Sequence, residues 1–282
     1  MFVKFYKQKG DYSNKRIRAL AKELQVNKIG HLGILDPLAE GLMIVATDED
    51  TRLLEYIDDK TKVYKAKAKL FLTSDTLDIM GFVQNTEVFK ITNEEFLAAI
   101  NKAKEFKTQI PPLFSAKKIN GKKAYQYARE NKEIELNPQE IQINHLELIN
   151  YDIENHEFEI IADVSHGTYI RTLLCDIAKL LNTTCIMTEL KRLSIGKVKL
   201  SKLEPNEFKE INHSELFNLP ILNLNEGELK LLENGDSFKV NLNDAQVFAF
   251  NPFLEQICAV GQITNKIFYP KKVFPKRCLW KN

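Results

Sequence analysis

Cysteine is scarce in this sequence: four residues in a chain of 282. Cys175, Cys185, Cys258 and Cys278 form no Cys-x-x-Cys pair, and the five histidines do not cluster near them, so neither a disulfide framework nor a zinc site is suggested. No apolar run approaches the ~20 residues that a membrane-spanning helix needs. The opening Met1-Phe2-Val3-Lys4-Phe5-Tyr6-Lys7 lacks the apolar core of a signal peptide. Repeats and low-complexity tracts are absent. These gaps exclude a secreted disulfide scaffold, a zinc module and an integral helical membrane protein, and the expected setting is a reducing cytoplasm. What remains is an ordinary globular composition, 44% hydrophobic and 28% charged, in a chain long enough for one large domain and one small one.

The formal net charge of +2 hides local asymmetry. Residues 101–132 carry nine Lys/Arg against two Glu, residues 191–202 five basic residues and no acid, and residues 266–282 six and no acid. Two of these segments interleave aromatics (Phe106, Phe114, Tyr125, Tyr127; Phe268, Tyr269, Phe274, Trp280). One lysine-rich segment alone reads as a solvated surface. Three together suggest a polyanion laid along one face.

The densest stretch is Gly30-His31-Leu32-Gly33-Ile34-Leu35-Asp36-Pro37-Leu38-Ala39-Glu40-Gly41. So much glycine argues against a helix and the proline against a central strand. Asp36 is pushed out of the helical region by the proline that follows it. It is either the cap of a short helix with proline at its first position, or a carboxylate presented for chemistry. Before it, residues 14–25 read as a helix capped by Ser13; after it, 42–46 read as a buried strand. The segment 62–72 alternates, with Tyr64, Ala66, Ala68, Leu70 and Leu72 inward and Lys65, Lys67 and Lys69 outward. The small neighbours of Tyr64 leave room either for a cavity or for a close-packed helix. Asp75 and Asp78 read as turn residues, and Thr92 with Glu95 as a capping box. Residues 109–131 form an excursion, with a turn at Asn120-Gly121 and a short basic helix from Lys122. A strand over 158–164 breaks at Ser165-His166-Gly167, and a helix follows over 168–181. Arg171 in its first turn opposes the helix dipole, which predicts an acidic partner from outside that helix. From about Leu222 the chain reads as a small β-rich domain.

Four motifs in this order, Gly-His-x-Gly-x-Leu-Asp-Pro with Asp36, Lys-Val-Tyr-Lys with Tyr64, Gln-Ile-Pro-Pro-Leu-Phe-Ser-Ala-Lys-Lys and Gly-Thr-Tyr-Ile-Arg with Arg171, together with Leu190-Lys191-Arg192-Leu193, resemble the TruB family of tRNA pseudouridine-55 synthases from Lys7 to about Leu200. The resemblance implies an α+β fold, a pseudouridine synthase core of mixed, mainly antiparallel sheet flanked by helices. It implies a catalytic domain over 1–220, a thumb-like RNA-binding insertion at about 105–135, and a small PUA-like RNA-binding domain over 221–282. It implies Asp36 as the catalytic aspartate, Tyr64 as the residue that stacks on the uracil and serves in proton removal, and Arg171 as the partner of Asp36. Tyr169 and Leu190 line the uridine pocket, and His31 holds the flipped-out loop. Lys7, Lys117, Lys118, Lys122 and Lys123 contact RNA. The implied substrate is the T-arm stem-loop of tRNA, acted on by a monomer without cofactor or metal. Gln8, Leu32, Ile34 and His166 depart from the family pattern. Other classes compatible with the same residues are a tRNA-binding and refolding protein, a guide-RNA-dependent relative, and an acid/base hydrolase, which would want a second carboxylate beside Asp36.

Overall fold

A computed structural model describes residues 1–119, 121–130, 132 and 134–280, and the chain divides into two compact units, Met1–Leu216 and Phe217–Asn282. In the first unit, β1 (Phe2–Lys7) leads to helix α1 (Ser13–Glu23), a short β2 (Ile29–His31), β3 (Glu40–Thr47) and β4 (Lys62–Leu70). Then come helix α2 (Asn93–Ala103), β5 (Ile143–Asp152), β6 (Glu157–Val164), helix α3 (Ile170–Leu180), β7 (Cys185–Ile195), β8 (Val198–Lys199) and β9 (Phe208–Ile211). Among the described residues these strands form one sheet in the order β5-β6-β4-β7-β3-β1-β9, with β2 on β3 and β8 on β7. Every pairing is antiparallel except β3 with β7, where Lys191 stands beside Glu40 and Arg192 beside Gly41. The fold is the α+β arrangement expected, a mixed and mainly antiparallel sheet with helices.

The parallel junction of β3 with β7 needs its glycine. Gly41 has φ +108°, and a Cβ there would lie 2.4 Å from the Arg192 carbonyl oxygen. Only glycine tolerates that backbone and that approach. The junction places the segment before β3, which carries Asp36, over the carboxyl half of β7.

Helices α2 and α3 pack on each other, and α3 also packs on β4 and β7. Helix α2 carries the expected capping box, in which Thr92 Oγ1 accepts from Glu95 N and the Glu95 carboxylate accepts from Thr92 N. Its stripe Phe96, Ala99, Ile100 and Ala103 is buried. Leu173, Leu174 and Ile177 of α3 are 0% exposed in the same core, each contributing roughly 1.5–3 kcal/mol of burial. Ala66 and Ala68 of β4 lie in that core too. The small residues beside Tyr64 thus serve close packing, and the cavity lies at the strand's other end, around Tyr64 itself. The outward lysines of β4 reach carboxylates on neighbouring strands: Lys65 to Glu159 at 3.0 Å, Lys67 to Glu189 at 3.3 Å and Lys69 to Glu157 at 3.8 Å. Leu72 is separated from the alternating strand by Phe71 at φ +61°.

The excursion holds a hairpin, Lys118–Ile119 with Lys122–Lys123, and a short helix, Ala124–Arg129. Gly121 sits at φ +81° in its turn; Asn120 of the expected turn, and Asn131 at the end of the expected excursion, lie outside the described residues.

In the second unit, β10 (Ile221–Asn223), helix α4 (Glu226–Glu233), β11 (Phe238–Lys239), β12 (Ala245–Asn251), β13 (Gln256–Thr264) and β14 (Ile267–Val273) give a sheet ordered β10-β12-β13-β14-β11. Its core corrects one expectation. Phe268 and Phe274 are buried, and Trp280 packs on the core with its ring 3.7 Å from that of Phe253. These aromatics hold the unit together, whereas Tyr269 is exposed. No helix among the described residues is long and apolar enough to cross a membrane.

Candidate active site

Asp36 is presented by backbone clamped on both sides. Ser13 Oγ donates to Leu35 O at 2.6 Å and accepts from Leu35 N at 3.1 Å. The expected Ser13 cap is therefore absent: the cap position of α1 is Tyr12, and Ser13 is used to tie the helix to the loop. After Asp36, Gly10 N donates to Pro37 O at 2.8 Å. Lys7 corrects a second expectation. It was expected to contact RNA, but it is 0% exposed. Its Nζ donates to Ala39 O at 2.6 Å, Gln8 O at 3.1 Å and Pro37 O at 3.3 Å. All three N–H of the ammonium are thereby used inside the protein. Burial pushes Lys7 down to about 8, against the pull of Asp11, Asp36 and Glu40. No short helix follows Pro37; the chain runs irregularly into β3 at Glu40. The helix-cap reading of Asp36 falls with it.

The acidic partner predicted for Arg171 is Asp36. Arg171 Nη2 stands 3.0 Å from Asp36 Oδ2, with the arginine side chain 5% exposed and the aspartate 39%. Arg171 is fixed from other directions as well: Nη1 donates to Thr76 O at 2.7 Å, Nη2 to Phe114 O at 2.9 Å, and Nε lies 3.9 Å from Asp78 Oδ2. Asp78, read from sequence as a turn residue, is buried; its Oδ1 accepts from Thr76 Oγ1 at 2.7 Å and Met80 N at 2.9 Å. Two carboxylates thus share one guanidinium, and the more exposed one faces the cleft.

That cleft, about 680 Å³, is lined by Asp36, Tyr64, Tyr169, Arg171 and Leu190 among others. Five of the expected site residues therefore meet, from the β2–β3 loop, β4, the start of α3 and β7. Tyr169 is held by Gln109, whose Oε1 accepts from Tyr169 N at 2.8 Å and whose Nε2 donates to Tyr169 O at 3.0 Å. Lys117 and Lys123 also reach the lining. Lys118 is exposed outside it, and Lys122 pairs with Glu130 and lies over the Tyr127 ring. His31 is exposed at the end of β2 and outside the cleft lining, its Nδ1 accepting from Gly33 N at 3.2 Å. A half-exposed carboxylate set on a fixed guanidinium, in a cleft whose lining also holds aromatic, apolar and basic side chains, suits nucleophilic attack on, or proton abstraction from, a bound substrate.

Residues 21–170 match the model of the TruB family pseudouridylate synthase N-terminal domain. The chain belongs to the TruB family. It is 38% identical to the tRNA pseudouridine synthase B of Mycoplasmopsis pulmonis over 98% of this chain and 96% of that one. It is 37% identical to that of Mesomycoplasma hyopneumoniae over 98% of this chain and 84% of that one. Among solved structures it resembles a chain of a Cbf5-Nop10-Gar1 complex with a TM-score of 0.69, covering 98% of this chain and 86% of the other. At 16% identity that likeness is one of fold. As a TruB-family pseudouridylate synthase the chain is an isomerase. Its sequence missed Ser13, Lys7, Asp78 and Gln109 as the residues that hold the Asp36 loop, Arg171 and Tyr169. Only Gln109 carried a signal, standing at the head of the Gln-Ile-Pro-Pro motif.

Proposed function

We propose that this protein converts uridine to pseudouridine in the T-arm loop of tRNA, at position 55, acting as a cytoplasmic monomer. The observation that carries the reading is the 3.0 Å pair of Asp36 and Arg171 in the lining of a cleft that Tyr64 also lines. The reaction breaks the C1′–N1 bond of uridine, turns the base and joins C5 to C1′; a proton leaves C5 and N1 gains one. It is an isomerisation and consumes no oxidant or energy source. Asp36 acts on the nucleoside, as a nucleophile or as the acceptor of a sugar proton, and Arg171 favours its ionised form. Tyr64 stacks on the uracil and serves in removal of the C5 proton. Tyr169 and Leu190 line the base pocket.

A base inside a folded loop has to be extruded to reach a cleft of this kind. His31, exposed beside the cleft, holds the loop the base leaves. Lys117, Lys118, Lys122 and Lys123 sit on the thumb-like insertion and meet the phosphates of the arm, with shape supplying much of the recognition. Residues 221–282 act as a PUA-like RNA-binding unit. The test is incubation with unmodified tRNA, followed by chemical labelling of pseudouridine and primer extension. A single stop at the T-loop uridine is expected; its absence overturns the reading.

A further inference from the structure

Lys62 opens β4 on the same inward face as Tyr64. Its Nζ donates to Lys60 O at 3.0 Å and lies 2.9 Å from His166 Nδ1. Arg192 of β7 stands in register beside Tyr64 and is 1% exposed. Its Nε donates to Leu42 O at 2.7 Å and its Nη2 to Gly33 O at 3.0 Å. The two cations converge on Gly33, three residues before Asp36. A Cβ there would meet Lys62 Cε at 3.7 Å and Arg192 Nη1 at 3.9 Å. Lys62, Arg192, His166 and Gly33 all line the cleft that holds Asp36.

The charge on this part of the lining is unmatched. Among the described residues that line the cleft, the one carboxylate is Asp36, and Arg171 already holds it. The groups that face Lys62 are Arg192, Lys60, His166 and Asp59; Asp59 acts on it least, and its carboxylate is engaged by Thr61 N and Oγ1. Burying cations without a counter-ion is expensive. Two of them, buried at 5% and 1% exposure in the lining of a substrate cleft, form a site for an anion that the substrate brings. Donors are available: an ammonium has three N–H and a guanidinium five, and two on each are committed here. When Lys62 donates to Nδ1, the proton of neutral His166 sits on Nε2 and is one donor more.

If the substrate is an RNA, as proposed above, its anionic group is the phosphodiester. We propose that Lys62 and Arg192, with His166, bind a phosphodiester flanking the uridine that reacts, and that Gly33 leaves the room between them. The subsite anchors the sugar-phosphate on one side of the ribose while Asp36 addresses it. His166, which departs from the family pattern, is used to orient Lys62.

The test uses synthetic T-arm stem-loops with a neutral methylphosphonate in place of the phosphate on the 5′ or the 3′ side of the target uridine. Single-turnover release of tritium from C5 gives a half-saturating enzyme concentration for each RNA. For wild type, one of the two replacements is expected to raise that concentration about tenfold, the loss of one charge-assisted contact. In Lys62→Met the same replacement is expected to cost less than twofold. Indifference of the wild type to both replacements overturns the proposal, as does an undiminished penalty in Lys62→Met. If the all-phosphate stem-loop releases no tritium with wild type, the reading of function fails instead.

Discussion

Arg171 and Arg192 are both buried beside one cleft, and the protein treats them in opposite ways. Arg171 has two carboxylates, Asp36 and Asp78, and two backbone carbonyls. Arg192 has two carbonyls, and among the described residues that line the cleft the one carboxylate, Asp36, is paired with Arg171 rather than with Arg192 or its neighbour Lys62. On the Arg171 side the charge is settled within the protein, so its geometry is fixed before substrate arrives. That suits a group whose task is to hold one carboxylate in one place. On the Lys62–Arg192 side the charge is left over, which suits a surface completed by something from outside.

The largest effect belongs to the settled side. Asp36→Asn keeps the size of the side chain and its place on Arg171 but removes the charge. Pseudouridine formation is expected to fall by at least ~10³-fold, on the scale of a lost nucleophile or base. Tritium release measures it, and filter binding of tRNA should remain within a factor of a few. Modification at the wild-type rate would remove Asp36 from the chemistry and leave the tRNA-binding and refolding reading in its place.

Arg171→Met should unsettle the protein itself. It strands the buried Asp78 and the carbonyls of Thr76 and Phe114. Breaking a buried pair from one side costs about 3–5 kcal/mol, with the larger share from Asp78, because Asp36 is partly in water. A Tm lowered by roughly ten degrees in a thermal scan is expected. Lys62→Met should do the reverse. Burial first, and then Arg192 and Lys60, push Lys62 down to about 7, while the unfolded chain keeps a lysine near its usual value of about 10.4. The unfolded state therefore binds more protons between these values, and stability rises with pH across that window. The penalty from Lys62 is full below pH about 7 and disappears toward pH about 10. At pH 7 Lys62→Met should be as stable as wild type or more so. Its Tm advantage should shrink as pH is raised; an advantage that does not change with pH would mean that Lys62 is not desolvated.

The same contrast explains what the sequence alone makes legible. Arg171 was legible because a cation in the first turn of a helix is out of place there, and Asp36 because glycine and proline crowd around it. The capping box at Thr92 and the stripe of α2 were legible because both are local. Ser13, Lys7 and Asp78 were not. Each acts on a residue far away in sequence, across a loop whose path no periodicity encodes. Ser13 was read as a cap, the commoner use of a serine before a helix, and Lys7 as an RNA contact from the resemblance to the family, and nothing local in the sequence shows that a lysine spends its three donors on carbonyls. Lys62 left a faint mark: it shares parity with Tyr64, not with Lys65, Lys67 and Lys69. The aromatics near the carboxyl terminus misled for a related reason, since a core alternating with surface lysines imitates a nucleic-acid face.

The smallest effect should come from those three outward lysines, which calibrate the comparison. Lys65, Lys67 and Lys69 are as basic a row as any in the chain, but each meets a carboxylate on a neighbouring strand, in partly exposed pairs. Such pairs contribute about 0–1 kcal/mol and are weakened by salt. Lys67→Ala is therefore expected to move Tm by no more than about two degrees and to leave the half-saturating concentration for tRNA within about twofold. A rise of tenfold would mean that the outer face of the sheet binds RNA despite its carboxylates. Local charge matching would then not be what separates a binding wall from a structural one, and the assignment of Lys62 and Arg192 to phosphate would lose its main support.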